Sequence, residues 1–170
     1  SFDVADGAAV TDLLCSGVIS GDRGLSKGGA GTFELSGTNS YGGTTYVNAG
    51  TLLVTGGLGN SQVEVANGGT LAGTGEVNRD ATINGTLAPG NNGIGTITFL
   101  NALNLRGKAL FQTSKDGETL GSDFVDGARS VSLGGTLTVV HTGDALYYGD
   151  VFTLFNVQPT GGFGSVNLPA

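Results

Sequence analysis

The 170 residues suit a single structural unit. Gly fills 33 positions with no Gly-X-Y period and Pro only three, which excludes collagen. A 12% charged share and a 38% apolar share laid out in alternating runs argue for order, and a net charge of −7 with seven scattered Lys and Arg argues against a nucleic-acid partner.

Cys15 is the single cysteine, so no internal disulfide can form. The nearest basic side chain that could lower its pKa is Arg23, and it reads as a small core residue. No run of 18 apolar residues marks a membrane-crossing helix, so no direct membrane insertion is expected. Ser1 opens no secretory leader, and the chain reads as a segment of a larger mature protein.

Residues 1–23 are expected to form one incomplete coil, with Val10, Leu13, Cys15 and Val18 as core candidates. From Gly24 to Val54 a phrase of Gly-Thr-apolar opens short alternating runs: Gly31-Thr32-Phe33 and Gly50-Thr51-Leu52. It returns at Gly69-Thr70-Leu71, Gly85-Thr86-Leu87, Gly95-Thr96-Ile97 and Gly135-Thr136-Leu137. The first three starts are 19 residues apart and the next comes 16 later. Such a period, with a strand signal per unit and no helical pattern between, predicts a β-solenoid. Alternation then places Phe33, Leu52, Leu71 and Leu87 in one inner column, and Thr32, Thr51, Thr70 and Thr86 in an outer one. Asn48, Asn67 and Asn84 precede consecutive strands, where Asn and Gly suit tight corners; their spacing suggests a stacked amide ladder.

Pro89-Gly90 predicts a tight turn. The period loosens over 101–128, where longer loops are expected, and returns in SVSLGGTLTVVHTG (130–143) and DVFTLFNV (150–157). The whole chain is thus one unit over 1–170: a partial first coil (1–23), regular coils (24–100), looser loops (101–128), and C-terminal coils with a tail (129–170).

The stretch 24–54 resembles the autotransporter-associated β-strand repeat, also called the passenger-associated transport repeat. The resemblance rests on Gly24, Leu25, Lys27, Gly29, Gly31, Thr32, Leu35, Gly37, Asn39, Tyr41, Gly43, Thr45, Val47, Gly50, Thr51 and Leu52, with Phe33 where Leu is usual. It implies a right-handed parallel β-helix of roughly 19-residue coils within a large bacterial protein, extracellular or displayed at the cell surface. Some members of the family leave through a C-terminal outer-membrane barrel, whose alternating strands and aromatic girdles do not occur in these residues. The resemblance implies no cofactor, and as partners the neighbouring coils of a larger parent chain.

Candidate chemistry is sparse. Sugar hydrolysis needs two carboxylates held close together, but Glu34, Glu64, Glu76 and Asp80 fall at different phases of the coil. Arg79-Asp80 alone does not make a lyase site. His141, the one histidine, closes a strand with no Ser or Cys partner in a known motif. The acidic loop Asp116, Glu118, Asp123 and Asp126 matches neither calcium-binding spacing and reads as structural. Ice binding would want Thr-x-Thr in every coil; only Thr96-x-Thr98 and Thr136-x-Thr138 comply, and Leu53 interrupts the face. The expectation is a non-enzymatic passenger or stalk segment that supports export and presents other domains. The alternative is a carbohydrate-binding or adhesive module meeting surface polysaccharide through Tyr41, Tyr46, Tyr147 or Tyr148.

Overall fold

Short alternating runs punctuated by glycine corners fold here into stacked coils. A computed structural model describes residues 1–169. The first coil holds β1 (Phe2–Asp3) and β2 (Leu13–Cys15), the second β3 (Leu25–Gly28) and β4 (Thr32–Leu35), and the third β5 (Thr45–Val47) and β6 (Gly50–Val54). The fourth holds β7 (Val63–Val65), β8 (Gly69–Gly73) and β9 (Glu76–Val77), the fifth β10 (Ala81–Ile83), β11 (Thr86–Pro89) and β12 (Thr96–Phe99). The sixth contains β13 (Ala102–Leu105), β14 (Lys108–Asp116), β15 (Thr119–Ser122) and β16 (Phe124–Asp126). β17 (Ser130–Leu133) and β18 (Thr136–Gly143) follow, then β19 (Thr160–Gly161) and β20 (Ser165–Asn167). No helix occurs among the described residues.

Each coil adds one strand to each stack. The first sheet runs β1-β3-β5-β7-β10-β13-β17-β19, the second β2-β4-β6-β8-β11-β14-β18-β20, and the third β9-β12-β16. Successive coils pair in parallel, and among the described residues the one antiparallel strand pair is the hairpin of β14 and β15. The molecule is a three-sided parallel β-helix.

The register sets the core. Leu13, Phe33, Leu52, Leu71, Leu87, Ala109, Leu137 and Val166 lie opposite one another along the second sheet. Phe33, Leu52, Leu71 and Leu87 are fully buried, each stabilising the stack by about 1.5–3 kcal/mol. Thr32, Thr51, Thr70 and Thr86 form the outer row, half-buried, as alternation requires. The steps between paired residues are 19, 19 and 16 from Phe33 to Leu87. Beyond Leu87 they widen, because loop 90–95, the β14–β15 hairpin and loop 144–155 are spliced into single coils.

Several expectations need correction. Val10 and Val18 are 68% and 65% exposed, Leu13 is 37% exposed and Cys15 is half-buried. Leu13 does face inward, in register with Phe33, whereas Val10 lines a hollow on the outer side of the second sheet with Thr32 and Leu53. Residues 101–128 carry four strands, one of them the nine-residue β14, where longer loops are expected from the sequence. DVFTLFNV forms no strand, and touches the third sheet through a single bridge from Phe155 to Val125. Pro89 closes β11 and Gly90 opens a longer loop at φ 95°. Asn48 donates to Ser26 at 3.0 Å, and no hydrogen bond links Asn48, Asn67 and Asn84 among the described residues.

Candidate functional site: three corner clamps

The repeat resembled by residues 24–54 occupies the second and third coils, and its polar residues point inward. Alternation from Leu25 turns Lys27 into the interior, in register with Phe2 and Val47. Its ammonium donates to the carbonyls of Gly28 (2.7 Å), Gly29 (2.8 Å) and Ala49 (3.0 Å). All three N–H groups are used, two within its own coil's corner and one on the next. Burial pulls the Lys27 pKa below the usual lysine range, against the attraction of Asp3 and Asp12 in the first coil.

At the second corner Asn39, 3% exposed, ties three coils together. Its Oδ1 accepts the N–H of Ile19 at 2.9 Å, and its Nδ2 donates to Gly37 O at 3.0 Å and Gly57 O at 2.9 Å. The third corner holds a hydroxyl chain. Tyr41 meets Thr45 at 2.7 Å, Thr45 meets Ser61 at 2.7 Å, and Ser61 donates to Gly43 O at 2.7 Å. One direction satisfies every member: Tyr41 donates to Thr45, Thr45 to Ser61, Ser61 to the carbonyl. Burial raises the Tyr41 pKa, offset by the Thr45 and Ser61 hydroxyls.

Glycine makes the close stacking possible. A Cβ on Gly24 would lie 2.1 Å from Thr44 O, and one on Gly43 would lie 2.2 Å from Gly24 N, so the two glycines pack coil on coil. Gly50 turns the corner at φ 62°, a conformation that L side chains rarely adopt. Gly31 and Gly37 likewise press on backbone of the coil before, and Leu35 and Val47 complete the inner columns without exposure. Ser61 is fully buried, and its only signal in the sequence is its phase, two residues before Val63 and four before Val65.

The remaining candidates are dispersed. Glu34 faces out from the second sheet and accepts Thr11 (3.2 Å) and Thr55 (2.8 Å). Glu64 lies on the first sheet beside Tyr46, and Glu76 on the third, so the three carboxylates occupy three faces. Asp80 accepts the N–H of Ala102 at 3.2 Å, and Arg79 is bonded to Asn60. Both His141 nitrogens are engaged, Nδ1 with Thr113 Oγ1 at 3.0 Å and Nε2 with Asp144 O at 2.8 Å.

Asp116 and Glu118 are exposed on the hairpin, whereas Asp123 is fully buried and accepts N–H groups from Gly95 (2.9 Å) and Gln112 (2.7 Å). Burial pushes the Asp123 carboxyl up, and the two N–H donors oppose it. Asp126 accepts from Gly127 at 2.8 Å, and no cluster of three metal-ligating side chains forms among the described residues. Thr96 and Thr98 lie on the third sheet while Thr136 and Thr138 lie on the second, so they share no face. Leu53 faces outward yet is only 5% exposed, in a hollow it shares with Val10, Asn91 and Asn92.

Of the tyrosines, Tyr41 is buried, Tyr46 is 44% exposed on the first sheet, and Tyr147 and Tyr148 project from loop 144–155. That loop is held by an ion pair of Lys115 with Asp150 at 2.8 Å, with the ammonium 4.4 Å from the Tyr147 ring centre. The Lys115 hydrogen bond, foremost, holds the Asp150 carboxyl below its usual range. Nothing in the sequence pattern signals this pair, whose members are 35 residues apart.

A family model described as the passenger-associated transport repeat matches residues 25–54. The chain is 48% identical over 84 residues to the extracellular serine protease of Serratia marcescens, a match covering 49% of this chain and 8% of that protein. It is 36% identical over 126 residues to the adhesin BmaC autotransporter of Brucella suis biovar 1 (strain 1330), covering 71% of this chain and 4% of the adhesin. Each match thus spans less than a tenth of the relative's length. Residues 25–54, with Lys27, Asn39, Tyr41 and Thr45 turned inward, are the part of this chain that matches the passenger-associated transport repeat.

Proposed function

We propose that this chain is a non-enzymatic passenger or stalk segment of a secreted or surface-displayed protein, and that its repeat supports export by folding early outside the membrane. The observation that carries this reading is the set of three clamps, each of which bonds one coil to the next. In a solenoid each coil contacts only its neighbours, so folding spreads from whichever block is most stable. Parallel pairing closes a long connection before it gains contacts, so a bare chain nucleates slowly. A block cross-linked at all three corners is the natural nucleus, and once folded outside it opposes backsliding of the chain behind it. The dispersal of Glu34, Glu64 and Glu76 and the engaged His141 support the non-enzymatic part; protease activity belongs by name to the Serratia relative, and the match covers 8% of it. The test is surface-exposed yield of the full gene product carrying Leu52→Asp and Leu71→Asp, beside an outer-face control, Glu64→Gln. Yield should fall with the paired Asp changes and hold with the control. Unchanged yield in the Asp variant would leave a passive spacer.

A second reading, an adhesive module, is favoured by loop 144–155. It presents Tyr147 and Tyr148, 71% exposed and fully exposed, from a backbone pinned by Lys115 and Asp150. Exposed tyrosines on a rigid loop recognise partners at low entropic cost.

A further inference from the structure

The corner between the first and second sheets opens, over the fourth to seventh coils, into a groove of about 720 Å³. It arises from a step in corner length. Three residues separate β7 from β8, whereas two separate β10 from β11 and β13 from β14. The Asn67 corner is thus one residue longer than the Asn84 and Arg106 corners that line the groove with it. Along its floor Thr70, Thr86, Lys108 and Thr136 lie in register, one per coil, about 4.8 Å apart.

Its electrostatics run against the rest of the molecule. Asp and Glu outnumber Lys and Arg by 14 to 7, yet no carboxylate lines the groove, and two of the seven cations, Arg106 and Lys108, do. Both are exposed, and neither has an acidic partner; the one ion pair among the described residues is Lys115 with Asp150. Lys27, Lys115 and Arg79, by contrast, are committed to internal bonds.

We propose that this groove binds an acidic polysaccharide laid along the helix axis across successive coils. Anionic groups would meet Arg106, whose planar fork suits a carboxylate or sulfate, and Lys108. The Thr hydroxyls and the amides of Asn67 and Asn84, spaced at a distance comparable to the advance of one pyranose unit, take sugar hydroxyls. A small anion is the wrong ligand: single exposed ion pairs contribute little in water, so affinity accumulates only when one chain engages both cations and the polar rows together. A nucleic acid is the wrong polymer, since the groove offers no aromatic ring for base stacking. The proposal draws on the extracellular reading only for where such a polymer is met.

The test uses the 170-residue chain in affinity electrophoresis through gels holding polygalacturonate, dextran sulfate or neutral dextran. Retardation is expected in at least one acidic gel and none in dextran, the two acidic gels showing whether carboxylate or sulfate is preferred. Arg106→Gln with Lys108→Gln should weaken retardation about tenfold with an unchanged unfolding midpoint, the side chains being exposed. Tyr147→Ala with Tyr148→Ala should leave it unchanged, and free galacturonic acid should not compete at equal uronate concentration. Equal mobility in all three gels overturns the proposal, as does undiminished retardation of the double Gln variant, loss through the Tyr pair, or full competition by the monomer. None of these readouts depends on export, so the scaffold reading stands or falls separately.

Discussion

Replacing Asn39 by Ala isolates one corner clamp. Three hydrogen bonds disappear, but their partners are not equally stranded. Gly37 O keeps the N–H of Gly57 at 3.2 Å, and Gly57 O keeps the N–H of Asn39 itself at 2.9 Å. Each of those losses costs about 0.5–1.5 kcal/mol. Ile19 N–H loses the side-chain acceptor it meets at 2.9 Å, which adds about 1–3 kcal/mol. The total is about 2–6 kcal/mol, a large part of the ~5–15 kcal/mol that holds a domain together. Asn39→Asp is the sharper probe, because it keeps the acceptor for Ile19 and turns a carboxylate oxygen toward Gly37 O and Gly57 O. That carboxylate is buried beside two carbonyls, so its folded pKa rises above the unfolded value of about 3.9. The folded state then binds more protons in the window above that value, and stability falls as pH rises through it. In urea unfolding followed by far-UV circular dichroism, Asn39→Asp should be weaker than Asn39→Ala at about pH 7 and recover on acidification to about pH 4. Hydrogen exchange at the Ile19 amide should speed up in the Ala variant. A loss under about 0.5 kcal/mol for Asn39→Ala, or an Asp variant whose pH profile parallels the parent, would refute the clamp.

Two further substitutions probe the same block. Leu52→Asp removes a fully buried side chain from the inner column and leaves an unpaired carboxylate; a loss of about 5 kcal/mol or more is expected in urea unfolding, and less than about 2 kcal/mol would contradict the stacking. Lys27→Met strands the carbonyls of Gly29 and Ala49, while Gly28 O keeps the N–H of Val4, so near neutral pH it should cost about 2 kcal/mol. Because burial lowers the Lys27 pKa, the unfolded chain holds more protons between that lowered value and the usual 10.5. Parent stability relative to the Met variant should therefore rise with pH across that window, and a shrinking gap would show the ammonium is not buried as described.

What was legible in the sequence was whatever follows from period two. Phe33, Leu52, Leu71 and Leu87 had to share a face because Gly-Thr-apolar restarts each coil in the same phase. Period two states which way a side chain points, and is silent on what waits there. Val10 and Val18 illustrate the gap, since neither lies in a strand, Val10 lines an outer hollow beside Leu53, and the two are exposed at 68% and 65%. Leu53 illustrates the converse: it faces out by phase and is covered at 5%, in a hollow lined from other coils by residues that include Val10, Ala72 and Asn91. The groove at Arg106 and Lys108 depends on comparing corner lengths in successive coils, which needs the register first.

Lys27 shows most about why the repeat has the form it has. By phase it is an inward residue, and by chemistry it should be outside, so a reading that weighs only hydrophobicity leaves it unexplained. A corner between strands turns several carbonyls toward the axis with no strand partner, and such groups must be satisfied once buried. An ammonium with three donors meets two of them, Gly29 O and Ala49 O, on two coils, and adds a second donor to Gly28 O. At the other two corners Asn39 adds donors to Gly37 O and Gly57 O and an acceptor for Ile19 N–H, and the Tyr41–Thr45–Ser61 chain ends on Gly43 O. Apolar columns alone tolerate a slip of one whole coil, because Leu over Leu looks alike at every step of the stack. The polar groups do not tolerate it: one coil further on, the place of Lys27 is taken by Val47 and that of Thr45 by Val63, neither of which offers a donor. The inward polar set therefore marks one register among several that burial would accept, and the pH profile of Asn39→Asp reports on that mark directly.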